Sequence, residues 1–258
     1  MELKNNTILI TGGTSGFGFL FAQRFIEMGN TVIITGRNLD TLEATKEVFP
    51  SVDIYQSDVS NPEDIVSLYN HVIKKFPDLN IIINNAGIMR KVVIHDHYNL
   101  TDITQEIEID LMGPIRMVQQ FLPHLKKQKK AVIMNVTSGI ALMTLPIAPI
   151  YSASKSGLRA YTKALRVQLK KTNIKVIELV APGSSTPLND KFLGEDGVRA
   201  ATLLEPEKIV DDAIRGILKG KNEVYPGLSG LLKILSRLAP GFLLKQASKM
   251  GAASMYTE

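Results

Sequence analysis

The sequence predicts an α/β protein built on a doubly wound parallel sheet of about seven strands, with helices on both faces. Three observations predict it: short runs rich in Ile and Val, longer stretches with helical apolar spacing, and regular alternation of the two along the chain. Residues 7–11, 31–35, 52–57, 80–84, 131–137 and 175–180 are the strand-like runs. Their middles are nearly all apolar, as parallel strands covered on both faces require. Residues 18–28, 61–75, 103–127, 152–171 and 206–219 carry the helical spacing. Asn61-Pro62 ahead of Glu63-Asp64 is a helix start, with a capping side chain, a proline at the first position and acids in the first turn. Glu205-Pro206-Glu207 repeats the device.

A chain of 258 residues can bury one full core, and it shows no internal repeat, linker or low-complexity segment. One domain is expected, with 1–225 as its body and 226–258 as a basic amphipathic extension of it. At 45% hydrophobic and 21% charged residues the composition excludes a disordered or fibrous protein. The absence of cysteine excludes disulfides, thiol catalysis and Cys-based zinc sites. Met1-Glu2-Leu3-Lys4 lacks an apolar signal region, and no stretch approaches the ~20 apolar residues that span a bilayer, so a cytoplasmic location is expected. The net charge is +5, yet seven cations and one anion fall between Arg215 and Met250, leaving the remainder near neutral. The excess belongs to the C-terminal segment. There Leu228, Leu231, Leu232, Leu235, Leu238 and Ala239 share one face of a single helix that Pro240-Gly241 ends. This helix either packs on the body, as a substrate wall or subunit interface, or rests on an anionic membrane surface.

Between the first strand and first helix lies Thr11-Gly12-Gly13-Thr14-Ser15-Gly16-Phe17-Gly18. Glycines here let the backbone turn tightly and approach a pyrophosphate, which the free N–H groups of the helix start would hold. At the end of the second strand an acid would bind an adenosine ribose and repel a 2′-phosphate. The residues are instead Thr35-Gly36-Arg37-Asn38, with no acid before Asp40. Arg37 is either a solvated surface cation or the partner of that phosphate, and the second reading predicts NADP(H) in preference to NAD(H).

Tyr151-Ser152-Ala153-Ser154-Lys155 sets a phenol and an ammonium four residues apart, on one helix face. A neighbouring cation favours a phenolate, so Lys155 and an oxidised nicotinamide would lower the Tyr151 pKa and let it exchange a proton with a substrate oxygen. Ser138, at the end of the fifth strand, could hold a carbonyl oxygen. Asp58-Val59, Asn85-Ala86-Gly87 and Pro182-Gly183 follow other strands at the same carboxyl edge. Ile140, Met143 and Ile147 beside them suit an apolar substrate or ordinary core packing.

From about Lys4 to Tyr225 the chain resembles the classical short-chain dehydrogenase/reductase family, through Thr-Gly-x-x-x-Gly-x-Gly, Asn-Asn-Ala-Gly, Ser138 and Tyr-x-x-x-Lys in that order. The resemblance implies a Rossmann-type fold and an oxidoreductase interconverting a carbonyl and an alcohol, with Ser138, Tyr151 and Lys155 catalytic. Cofactor contacts are implied for Gly12, Thr14, Ser15, Gly16, Phe17 and Gly18, for Asp58 and Val59, and for Asn85 through Gly87. A homodimer or homotetramer paired through the long helices after the fourth and fifth strands is implied as well. Phe17 is larger than the family's usual residue. Asp110 stands where the family has a catalytic asparagine; the family uses the main-chain carbonyl there to hold a water, so Asp110 fits either a structural cap or a proton relay. Thr186 comes one residue earlier than the family threonine that holds the nicotinamide amide.

His95-Asp96-His97 lacks a third ligand, so no metal is expected. Lys126-Lys127-Gln128-Lys129-Lys130 sits where a helix ends and has no interleaved aromatics, which argues against nucleic acid. The alternatives to a carbonyl reductase are a catalytically weak NADP-binding sensor and a membrane-docked partner protein on the same fold.

Overall fold

In the computed structural model, which describes residues 2–190, 203–250 and 252–255, seven strands form one parallel sheet in the order β3-β2-β1-β4-β5-β6-β7. Strands β1 (Thr7–Thr11), β2 (Thr31–Gly36), β3 (Asp53–Gln56), β4 (Leu79–Asn84), β5 (Ala131–Ser138) and β6 (Ile174–Ala181) fall within two residues of the predicted runs. The seventh, β7 (Glu223–Val224), is only two residues long and pairs with the middle of β6. Between them run α1 (Gly16–Glu27), α2 (Leu39–Val48), α3 (Pro62–Lys75), α4 (Leu100–Ile103), α5 (Gln105–Ile107), α6 (Gly113–Leu125), α7 (Pro149–Gln168), α8 (Pro187–Asp190) and α9 (Pro206–Leu218). Helices α10 (Ser229–Leu238), α11 (Pro240–Ala247) and α12 (Ala252–Met255) follow the sheet.

Alternation of side chains along each strand builds two cores, one on each face of the sheet. Ile8 and Ile10 of β1, with Val32 and Ile34 of β2, pack against Phe21 and Phe25 of α1 and Ile209 and Ile217 of α9. Leu9, Ile33, Ile82 and Ile133 point the other way, onto Leu68 of α3 and Met117 and Phe121 of α6. The strand order reverses between β1 and β4, which opens a crevice at their carboxyl ends.

Three predicted elements differ. The single helix expected over 103–127 is broken: residues Glu108–Met112 form a π turn ahead of α6. Pro114 has no N–H to give the carbonyl of Asp110 four residues back, so the regular ladder cannot pass through this point. The C-terminal helix does not end the helical run at Pro240. Pro240 stops α10 and occupies the first turn of α11, where its fixed φ is already helical. The capping device is present at α3, where Asn61 Oδ1 accepts the Glu63 N–H at 2.9 Å. At α9, Glu205 stands at the cap position without a side-chain bond. Among the described residues, no helix is long and apolar enough to cross a membrane and no group of His, Asp or Glu could hold a metal. Of the long connection between Gly183 and Leu204, residues 191–202 lie outside the described residues.

Candidate active site

The loop between β1 and α1 is bent by two left-handed glycines, Gly12 at φ +66° and Gly16 at φ +52°. A methyl on Gly12 would stand 2.9 Å from the Ala86 Cα, and one on Gly18 only 2.0 Å from the Gly12 carbonyl oxygen. Asn85 locks this approach: its Nδ2 donates to the carbonyls of Thr11 (3.1 Å) and Gly12 (3.0 Å). The Thr11 Oγ1 in turn accepts the N–H groups of Asn85 and Ala86, both at 3.1 Å. The turns after β1 and β4 are therefore one hydrogen-bonded unit. Ser15 stands before α1 without capping it, so no side chain of that residue takes the first N–H groups of the helix.

Two cavities meet at this unit. The smaller, about 190 Å³, is lined by Gly12, Thr14 and Ser15 with Arg37, Asp58 and Val59, and the buried hydroxyls of Thr35 and Ser57 on its walls have no partner. Arg37 is exposed, and no ion pair is found for it among the described residues. The larger, about 550 Å³, also begins at Gly12 and Ser15 and extends past Asn85, Ala86 and Gly87 to Ser138, Tyr151 and Lys155. Phe17, Pro182, Gly183 and Thr186 line it too. Thr186 is buried, with its side chain 3.7 Å from where a methyl on Gly16 would stand, so the segment after β6 folds back over the glycine turn. Gly18 lies beneath the loop and lines neither cavity. A dinucleotide fits these residues: a cradle that side chains would fill, flanked by unpartnered buried hydroxyls.

Tyr151 and Lys155 sit one turn apart near the start of α7, both buried. The Lys155 Nζ lies 5.5 Å from the Tyr151 ring centre and donates to the Val136 carbonyl at 3.3 Å. Ser138 closes β5, and its Oγ accepts the Ile140 N–H at 3.2 Å. Burial pushes the Tyr151 pKa well above its usual value, and the Asp110 carboxyl pushes it further; contact with the Ser138 hydroxyl pulls the other way. Among the chain's own groups Lys155 is therefore not what sets this phenol. Burial and a carboxylate hold its proton on.

Asp110 lines neither cavity. It is wholly buried behind Gly87, where its Oδ1 accepts the Ile88 N–H at 2.9 Å and its Oδ2 has no partner. Its Oδ1 and the Lys155 Nζ stand 2.9 Å and 3.3 Å from the point a methyl on Gly87 would occupy. Desolvation raises the Asp110 carboxyl to about 6, with Lys155 and the Ile88 N–H acting against it. One residue thus ties the turn after β4 to the π turn and faces the lysine. Sequence reasoning missed its neighbour Glu106, fully buried, whose Oε1 accepts the Arg90 N–H at 2.9 Å and whose pKa burial also raises.

Ile140, Met143 and Ile147 all line the larger cavity. Met89, Leu145, Leu188 and Met250 complete its apolar end and were not singled out from the sequence. They come from four separate segments, and no local pattern marks them. Leu232 of α10 and Leu228, the residue preceding that helix, also line it, so the start of α10 is a cavity wall.

A family model described as short chain dehydrogenase matches residues 6–196. An oxidoreductase of Bacillus subtilis named DltE, itself uncharacterized, is 36% identical over 225 residues, covering 87% of this chain and 89% of its own. The 11-beta-hydroxysteroid dehydrogenase-like 3 of Arabidopsis thaliana is 30% identical over 250 residues, covering 93% and 79%. Of solved structures, a 3-ketoacyl-(acyl-carrier-protein) reductase from Brucella melitensis complexed with NADH is similar at a TM-score of 0.76 and 28% identity, covering 83% of this chain and 91% of that one. A short chain dehydrogenase from Burkholderia cenocepacia in complex with NADP reaches 0.80 at 22% identity over 100% of both chains, a likeness of fold alone.

Proposed function

Because this chain belongs to the short-chain dehydrogenase family, we propose that it is an oxidoreductase interconverting a carbonyl and an alcohol with a nicotinamide dinucleotide, NADP(H) in preference to NAD(H). The observation that carries the reading is the shared cavity: Tyr151, Lys155 and Ser138 line the space that begins at the Gly12–Gly16 turn. When bound, the nicotinamide supplies or accepts the hydride at the substrate carbon. The protein's own groups manage the oxygen. Ser138 offers a hydroxyl to hold a carbonyl, and Tyr151 offers a proton.

A phenol kept protonated by burial and by Asp110 suits donation, because the alkoxide that develops during reduction is a stronger base still. Lys155, in reach of both Tyr151 and Asp110, would hold the nicotinamide ribose hydroxyls, and Thr186 above the glycine turn would meet the amide. In the smaller cavity Arg37 is free to pair with a 2′-phosphate, while Asp58 and Val59 would flank the adenine. The apolar end formed by Met89, Met143 and Ile147 suits a substrate with an apolar body, consistent with relatives named for steroid and ketoacyl substrates. The reading includes a homodimer or homotetramer paired through α6 and α7.

The test is oxidation of NADPH against a panel of apolar aldehydes and ketones, with Tyr151→Phe alongside. Removing a positioned proton donor should lower kcat by about 10²- to 10⁴-fold and leave NADPH affinity unchanged. Tight NADPH binding with no carbonyl reduced by the unaltered protein would instead favour a nucleotide sensor.

A further inference from the structure

Among the described residues, the large exposed apolar side chains are distributed along many elements, with one concentration. Leu228, Leu231, Ile234, Leu238, Phe242 and Leu244 all fall within α10, α11 and the residue preceding α10. The single apolar face expected from the sequence is in fact divided. Leu232, Leu235 and Ala239 are half-buried, while Leu231, Ile234 and Leu238, spaced three and four apart, are 52%, 56% and 78% exposed. A helix that keeps a second leucine stripe in water has a face awaiting an apolar medium.

Its charges say which medium. From Pro226 to Thr257 the chain has four cations and not one Asp or Glu. Lys233 is committed to the body: its Nζ donates to Glu223 Oε2 at 2.9 Å and lies 4.4 Å from the centre of the Tyr225 ring. Arg237, Lys245 and Lys249 are exposed, and no ion pair is found for them among the described residues. A second copy of this face would bring those cations against their own kind, with no acid in the segment to neutralise them. An anionic lipid surface accepts both features, leucines into the acyl boundary and cations among the headgroups.

We propose that the outer face of α10 and α11 docks on an anionic bilayer, and that the substrate cavity opens onto that surface. Leu228 links the two functions, because it is 61% exposed and also lines the cavity; Leu232, one turn on, lines it from within. An apolar substrate dissolved in the bilayer then reaches Tyr151 along a leucine wall without crossing water. Docking stands without the proposed chemistry; only the delivery of substrate rests on it.

The test is co-sedimentation of the full chain with vesicles of phosphatidylcholine alone or mixed with phosphatidylglycerol, at low and high salt. Binding should require the anionic lipid and weaken with salt. Each cation removed should cost about fivefold in partitioning, so R237Q/K245Q should bind about twenty-five-fold more weakly. L231Q/I234Q/L238Q, which replaces two exposed leucines and an exposed isoleucine with helix-forming side chains, should abolish binding while its thermal midpoint and NADPH affinity stay as in the parent. The same variant should reduce a short, water-soluble aldehyde normally and lose rate only on a long-chain aldehyde carried in vesicles. The proposal is overturned if the parent ignores anionic vesicles, if both variants bind as the parent does, or if the leucine variant instead dissolves an oligomer that never bound lipid. Turnover on the soluble aldehyde is read separately, so a failed docking test leaves the reductase reading intact.

Discussion

Replacing Asp110 with asparagine tests the electrostatics of this site through stability alone. The buried carboxyl sits at about 6 rather than at its usual 3.8, chiefly through desolvation. The folded chain therefore holds this proton more tightly than the unfolded chain does. Its stabilising contribution is fully present below about pH 3.8 and lost as pH rises through about 6, a total of about 3 kcal/mol. Asparagine keeps the oxygen that accepts the Ile88 N–H and cannot titrate. Losing the attraction to Lys155 displaces the whole stability curve without giving it this slope. Asp110→Asn, measured against the parent by urea denaturation, should thus gain about 2 kcal/mol of relative stability between pH 4.5 and pH 8. Taking the difference between the two proteins cancels the titrating groups that are not coupled to Asp110. A difference that stays flat across that range, or that falls with pH, would refute the assignment of a strained, buried carboxyl.

The same variant should move the pH profile of alcohol oxidation to lower pH, because Asp110 is the second-largest cause of the raised Tyr151 pKa; steady-state NADP reduction from pH 6 to 10 reads this. Arg37→Gln should weaken NADPH binding by about 10- to 100-fold, the worth of a charge-assisted hydrogen bond, and leave NADH binding unchanged in a fluorescence titration. Gly18→Ala places a methyl 2.0 Å from a backbone oxygen and 2.6 Å from Asn85 Nδ2, neither of which can swing aside freely. It should destabilise the fold by about 1–3 kcal/mol in thermal unfolding and lower affinity for either dinucleotide.

The sheet was legible because burial on both faces leaves a signal in each strand separately: β1, buried from end to end, is an Ile-Leu-Ile run between two threonines. Where an element buries little, the signal fails. Helix α2, which is not among the helical runs read from the sequence, has only Leu42 and Thr45 buried and is capped by Asn38, whose side chain accepts the Thr41 N–H at 3.1 Å. Strand β7, two residues long, is below any period. Gly113-Pro114 marked the break in the predicted long helix, since a proline there cannot serve the Asp110 carbonyl. The cofactor loop and the Tyr151–Lys155 pair were legible as spacings, because each works within one turn or one helix. What Asp110 touches was not, because its partners Ile88 and Lys155 lie 22 and 45 residues away and meet it only through the fold. The apolar end of the cavity was hidden for the same reason, with Met89 drawn from a loop, Leu188 from the short helix α8 and Met250 from a helix junction.

The two ends of the site are held together by a hydrogen-bonded network that begins one turn further along the same face of α7. Arg159, one turn beyond Lys155, donates to Glu178 of β6 at 2.7 Å and to the Tyr225 hydroxyl at 2.9 Å. Tyr225 donates to Glu223 at 2.8 Å, and Glu223 accepts from Lys233 of α10 at 2.9 Å. The carboxyl of Glu223 is drawn down to about 2: Lys233 and the Tyr225 hydroxyl together outweigh its desolvation. The helix that carries the phenol and the helix that walls the substrate cavity are thus pinned to the same strand edge by one network. That network explains why α10 can expose a leucine stripe and still hold its place. Buried Ser229 and half-buried Leu232, Leu235 and Ala239 pack the inner face of α10 on the body, and the ion pair at Lys233 adds a directional contact to that packing.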